Sequence, residues 1–199
     1  TRLVGSEMCI RDRANPNNSA SIFPPRKFHL WILNRNFVAY MENLIETTES
    51  KYDVIVIGAG AAGMMAAGTA AKNGSRVLLL EKMEKPARKI RITGKGRCNL
   101  TNAKPESEFA ENVRTNAEFL KVAFSEFSNR ATMRFFERMG VKLVTERGER
   151  VFPESGKAAD IANALEFYCR DYEVEIQCNT RVTEIITLGD KVLGVKFIN

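Results

Sequence analysis

An α/β fold built on a buried parallel sheet is what this sequence predicts, and three observations predict it. Residues 54–57, Val-Ile-Val-Ile, are apolar at successive positions, the pattern of a strand covered on both faces. The run breaks at once into Gly58-Ala59-Gly60-Ala61-Ala62-Gly63, and Met64 to Lys72 then reads as a helix of small residues. Past Gly74, Arg76-Val77-Leu78-Leu79-Leu80 repeats the first pattern and ends in Glu81. Strand, helix and strand therefore succeed one another, with the glycines between the first strand and the helix.

Each glycine in that spacing has its own physical reason. Gly58 permits the tight turn, Gly60 lets the backbone approach a phosphate with no side chain in the way, and Gly63 lets the helix pack close on the strand. The helix N-terminus adds free N–H groups and the positive end of its dipole. Glu81 lies 23 residues after Gly58, placing a carboxylate where it can accept hydrogen bonds from ribose hydroxyls and repel a 2′-phosphate. These features predict a Rossmann-like unit for a dinucleotide, with Gly58, Ala59, Gly60, Ala61, Ala62, Gly63, Glu81 and Lys82 at the adenosine end.

With 199 residues, 44% hydrophobic and 27% charged, the chain is long enough for a real core and has the composition of a globular protein. Its net charge of +6 is unevenly placed. Residues 1–40 carry six Arg and Lys against two acids, whereas the remainder carries 24 basic against 22 acidic side chains. A nearly neutral domain gives no general support to nucleic-acid binding, and no segment is long and apolar enough to span a bilayer. Residues 1–40 also hold the only Trp and the only His, show no sustained period, and read as a disordered or non-native leader: Thr1 to Arg13 resembles translated adapter sequence, with Met41 as the start. The domain proper is then 41–199, with a helical insertion around 105–140. Without His29 that domain has no histidine, so His-based triads and His-ligated metals drop out. Cys9, Cys98, Cys169 and Cys178 show no CxxC spacing and read as reduced thiols of a cytoplasmic protein, with no metal.

The segment from Lys82 to Asn102 is rich in Lys and Arg, with Gly94 and Gly96 flanking Lys95. A long basic loop directly after a nucleotide-binding strand is suited to wrapping an anion, the alternative being a solvated connector. Gly94 and Gly96 can turn N–H groups toward a ligand, and Arg97 offers a planar fork.

Thr93-Gly-Lys-Gly-Arg-Cys-Asn-Leu-Thr-Asn102, together with the glycine turn, Arg88-Lys89 and Arg150-Val-Phe-Pro-Glu-Ser-Gly-Lys-Ala-Ala-Asp160, resembles the aminoacetone-oxidase-like FAD-dependent oxidoreductases, which include bile-acid-reductase-like flavoproteins. The resemblance covers residues 53–199 and departs from the common form at Lys95, where glycine is usual. It implies FAD, a glutathione-reductase-type fold, and hydride transfer through the flavin to oxygen or an enone-like acceptor, with NAD(P)H as a candidate donor. It places Arg88, Lys89, Thr93, Gly94, Gly96, Arg97, Cys98, Asn99, Thr101 and Asn102 around the cofactor, and Val182 beside the adenine, where an ordinary sheet residue is the alternative. Family members are longer, so the chain reads as truncated at its C-terminus.

Beyond the loop, helical spacing predicts helices over 116–127 and 129–139, whose Phe and Met residues are read as core or domain packing rather than a cofactor box, and another over 157–168. Strands are expected at 141–145, 150–152 and 172–178, and a hairpin over 181–197. No catalytic acid or base is identified. A small-molecule substrate is expected, without nucleic acid or membrane, and the oligomeric state is open. Rival readings are an NAD-linked dehydrogenase or methyltransferase using the same turn, a non-catalytic fragment, and a flavin-dependent nucleic-acid-modifying enzyme, which the near-neutral charge of the domain does not support.

Overall fold

The first strand, β1 (Arg2–Leu3), precedes β2 (Val54–Ile57), which carries the apolar run. The structure, a computed structural model, describes residues 2–3 and 51–199, and the leader reading for residues 1–40 otherwise lies outside them. The backbone of β1 pairs in parallel with Val54 and Ile55, an element the sequence did not suggest. Helix α1 (Ala61–Lys72) succeeds the glycine turn, and β3 (Val77–Leu80) pairs in parallel with β2, Val54 against Val77 through Ile57 against Leu80. The sheet is completed by β7 (Glu175–Gln177), in the order β1-β2-β3-β7. Described residues other than Lys51 fall within one compact unit.

Strict alternation of side chains along β2 and β3 divides their apolar residues between two faces. Val54, Val56, Val77 and Leu79 face a cluster formed with Met64 and Ala67 of α1 and with Ile161, Ala162 and Leu165 of α6 (Ala158–Asp171). Ile55, Leu78 and Leu80 face the other way, onto Tyr52 and onto Val182 and Val195 of the hairpin β8 (Arg181–Leu188) and β9 (Lys191–Ile198). The continuous apolar runs are thus explained: each strand has a helical layer on one side and a hairpin on the other. Helices α1 and α6 approach through small residues. A methyl group on Gly68 would lie 2.3 Å from the Tyr168 ring, and the Cys169 thiol donates to the Met64 carbonyl at 3.2 Å. Burial pushes that thiol up to about 11.

Between β3 and α6 the chain forms α2 (Arg88–Ile92), a turn over Thr93–Gly96, β4 (Thr101–Asn102), α3 (Glu106–Glu111), α4 (Ala117–Glu126) and α5 (Asn129–Arg138), then β5 (Leu143–Glu146) and β6 (Arg150–Pro153). Strands β4, β6 and β5 make a second, antiparallel sheet, Thr101 opposite Val151 and Glu146 opposite Arg150. The expected helices and strands are present with shifted ends. Gly63 lies inside the first turn of α1 rather than before it, and Pro153 is the last residue of β6 rather than a stop beyond it.

Of the Phe and Met residues of 116–139, expected in core or domain packing, those of α5 pack in the core, whereas α4 turns much of its apolar face outward. Phe135 packs edge-to-face with Phe136 and with Tyr168 at 5.1 and 5.0 Å. On α4, Phe119 and Val122 are 68% and 73% exposed. No described helix is long and apolar enough to cross a membrane, and no cluster of three or more His, Cys, Asp or Glu able to hold a metal occurs among the described residues.

Candidate functional site

The glycine turn is closed from below by the sheet and from the side by Glu81. Gly58 lies at φ 96°, a conformation an L side chain rarely adopts, and its N–H donates to the Leu80 carbonyl at 2.7 Å. Gly60 is the N-cap of α1 in extended conformation; no side chain caps the helix and its first turn holds no acid. A methyl group on Gly60 would meet no atom of the other described residues within 4 Å, so their packing leaves the space over its Cα open. Gly63 is the reverse case: a methyl there would lie 1.9 Å from the Gly58 carbonyl oxygen. The two glycines have separate causes, one an open approach and one a packing contact. Ala61 and Ala62 are exposed in the first turn of α1, while Ala59 is wholly buried.

Glu81 ties this turn to the segment after β3. One carboxylate oxygen accepts from the Ala59 N–H at 2.8 Å and the other from the Met83 N–H at 2.9 Å. Its backbone N–H donates to the Gln177 carbonyl, and its carbonyl accepts from Thr180 N–H at 2.8 Å. The carboxylate is therefore held at the mouth of the turn, and each oxygen keeps a second lone pair for a hydroxyl donor. Lys82 and Lys89 are exposed and have no ion-pair partner among the described residues. Arg88 reaches only the Met83 sulfur, at 3.7 Å.

The loop from Thr93 to Asn102 is attached to the turn indirectly. Ala87, the left-handed N-cap of α2, donates its N–H to the Ala59 carbonyl at 2.8 Å, and Arg91 anchors α2 to α6 through Asn163 and Glu166. Beyond α2, Gly94, Lys95, Gly96 and Cys98 all lie at φ between 56° and 83°. Thr93 donates its hydroxyl to the Ile90 carbonyl at 2.7 Å; Cys98 is buried, which raises its thiol above the ordinary range. The side chain of Asn99 is exposed and has no partner among the described residues.

Two of the expected ligands also have protein partners. Arg97, 45% exposed, directs both terminal nitrogens at the Glu146 carboxylate and lies over the Phe152 ring, 4.4 Å from its centroid. The bond raises Arg97 further above its ordinary value and lowers Glu146 below the usual carboxylate range. Asn102 donates to the Gly148 carbonyl and accepts from Lys104 N–H, so its amide clamps the β5–β6 turn. Buried Asn129 then takes the Asn102 and Lys104 carbonyls at 2.7 and 2.8 Å. Thr101 pairs with β6 as a strand residue. Val182 packs its side chain on Ile55, Leu78 and Leu80, and Thr180, two residues before it, donates its N–H to the Glu81 carbonyl.

Sequence reasoning missed Glu146, Ala87 and Asn129. Glu146 stood in plain view before Arg147-Gly148 but signalled only a turn, since nothing local marks its partner.

Lys95 holds a left-handed conformation that costs a non-glycine residue roughly 1 kcal/mol. Lys95→Gly is therefore expected to stabilise the domain by no more than about 0.5 kcal/mol, because the larger unfolded-state entropy of glycine offsets most of that cost. Denaturant unfolding checks this; an equal loss would show that the lysine side chain contributes more than its backbone costs.

A parallel strand-turn-helix-strand unit with an open middle glycine and an acid at the end of the second strand defines a Rossmann-type dinucleotide-binding domain. Residues 52–199 match the HI0933-like protein Rossmann domain, and the chain belongs to that family. It is 34% identical over 138 residues to the 3-dehydro-bile acid delta(4,6)-reductase of Clostridium scindens, covering 68% of this chain and 33% of that protein. It is 31% identical over 147 residues to the ribosomal RNA dihydrouridine synthase of Haemophilus influenzae, covering 73% of this chain and 36% of that one. The chain thus spans about a third of the length of these curated relatives. Among solved structures, it is similar to the 3-ketosteroid-delta4-(5alpha)-dehydrogenase of Rhodococcus jostii RHA1 at a TM-score of 0.51, with 18% identity, over 71% of this chain and 41% of that one, a likeness of fold.

Proposed function

We propose that this domain binds FAD and that the protein it serves reduces a carbon–carbon double bond conjugated to a carbonyl, with NAD(P)H as electron donor. The observation that carries the reading is the glycine turn itself: open space over Gly60, an uncapped helix N-terminus beside it, and the Glu81 carboxylate fixed 2.8 Å from the Ala59 N–H. These groups fit a dinucleotide. The N–H groups at the start of α1 would hold the pyrophosphate, and Glu81 would hold the adenosine ribose. Gly94, Gly96, Arg97 and Asn99 present backbone N–H groups, a cation and an unpartnered amide for the flavin half, and Arg88 and Lys89 lie between. When bound, FAD supplies a two-electron carrier able to deliver hydride to an electron-poor double bond. One relative is named as a reductase of a 3-dehydro-bile acid and the other as a synthase of dihydrouridine, and reduction of such a bond accounts for both names.

A small molecule is the proposed substrate. Likeness to the dihydrouridine synthase, with exposed Lys82, Lys85, Lys89 and Lys95 unpaired among the described residues, favours RNA as a second reading. A cytoplasmic location is part of the same proposal, and the free thiols of Cys98, Cys169 and Cys178 support it.

The test is reconstitution of the chain with FAD or NAD, gel filtration, and measurement of flavin released on denaturation. Close to one flavin per chain is expected, with the visible absorbance of a bound flavin. Retention of NAD without flavin would overturn the reading in favour of an NAD-linked dehydrogenase.

A further inference from the structure

We infer that Glu146 is a positioning residue for the cofactor loop, fixing the direction in which the Arg97 guanidinium presents its remaining donors to the flavin half of the dinucleotide. The inference rests on the assignment of residues 93–99 to that half. Arg97 sits on a loop whose own backbone does little to orient it: Gly94, Lys95, Gly96 and Cys98 are all left-handed, and its N–H reaches only the Gly94 carbonyl.

Orientation comes from the second sheet. Phe152, 5% exposed, is the floor on which the guanidinium lies. Glu146 opposes Arg150 in the β5–β6 ladder, so its carboxylate projects from a paired strand. Both terminal nitrogens of Arg97 turn toward that carboxylate, Nη1 at 3.4 Å. An arginine has five N–H donors, and two taken end-on leave the Nε edge free for a flavin carbonyl or a phosphate oxygen. The other cation near this ring, Arg150, is 5.8 Å from its centroid and donates its Nε–H to the Arg147 carbonyl, so it does not take the place of Arg97.

An arginine held in place before binding loses less side-chain freedom when the ligand arrives. Removing Glu146 leaves Arg97 charged and present but free to rotate. Glu146→Ala is therefore expected to weaken FAD binding by roughly threefold to tenfold, and Glu146→Asp to restore part of that loss. Adenosine diphosphate, which lacks the flavin half, is expected to bind equally to all three proteins.

The experiment is flavin-fluorescence titration of the full 199-residue chain, with adenosine diphosphate as competitor and a thermal melt of each variant. In an Arg97→Ala background, Glu146→Ala is expected to change FAD affinity by less than a factor of about two, because the two residues act as one unit. FAD binding unchanged or tightened in Glu146→Ala overturns the inference, the latter by making Glu146 a competitor for the arginine. So does an equal loss for adenosine diphosphate, which would mark a general structural defect, or a full additive loss in the Arg97→Ala background. Absence of FAD binding by the unsubstituted chain overturns the cofactor assignment itself and this inference with it.

Discussion

Gly63→Ala is expected to unfold the domain under conditions in which the unsubstituted chain is folded. The added methyl would lie 1.9 Å from the Gly58 carbonyl oxygen and 3.1 Å from its carbonyl carbon. Those are backbone atoms of a turn whose N–H is bound to Leu80, so neither side can yield without breaking the β2–α1 connection. Overpacking of this kind costs about 3 kcal/mol or more, a large share of the 5–15 kcal/mol typical of a domain. A melting temperature lower by about 10 °C is the minimum expected. Alanine is otherwise the better helix former, so a melt unchanged or raised would show that α1 does not need its close approach to β2.

Gly60→Ala is expected to do the opposite: leave the fold intact and remove the cofactor. Nothing among the described residues lies within 4 Å of the added methyl, and the extended backbone at Gly60 is open to any L residue. The methyl instead fills the approach of the pyrophosphate to the N–H groups of α1. A loss of about 100-fold in FAD affinity is expected, equivalent to roughly 3 kcal/mol, with a melting temperature within about 3 °C of the parent. Titration of both variants beside each other is the decisive comparison. Undiminished FAD binding by Gly60→Ala would mean that the dinucleotide does not cross this turn.

The contrast between these glycines also marks how far sequence alone reaches. Strands β2 and β3 were legible because burial on both faces demands unbroken apolar runs, and the glycine turn was legible because its spacing is local. At Gly63 the geometry shows the close helix–strand contact expected of it, and among the described residues the space at Gly60 is open. Helix α4 marks the limit. Its period was read correctly, but periodicity identifies a face without saying what covers it, and Phe119 and Val122 lie in solvent.

The candidate site divides in the same way. Glu81 was found because it ends a strand, whereas the partner of Arg97 lies 49 positions away in another sheet and no local pattern joins them. Asn102 was expected at a ligand and is instead bound to Gly148 and Lys104, because its short strand needs that clamp to meet β6. Helix α2 was read as loop: it is only five residues long, begins at a left-handed alanine, and gains its place from Arg91 against α6.

The pairing of β3 with β7 has a consequence for the order in which a nascent chain matures. Leu80 and Gln177 are neighbours in the sheet, yet 96 residues of chain run between them, so this contact has a high loop-closure cost and forms late. The carbonyl of Gln177 and the N–H of Thr180 are what hold the backbone of Glu81. A ribosome that has released the chain only as far as α5 has therefore made both glycine-turn strands without the partner that steadies their acid. The backbone of Glu81 is therefore expected to gain its full set of hydrogen bonds only once the chain through β7 and Thr180 has emerged.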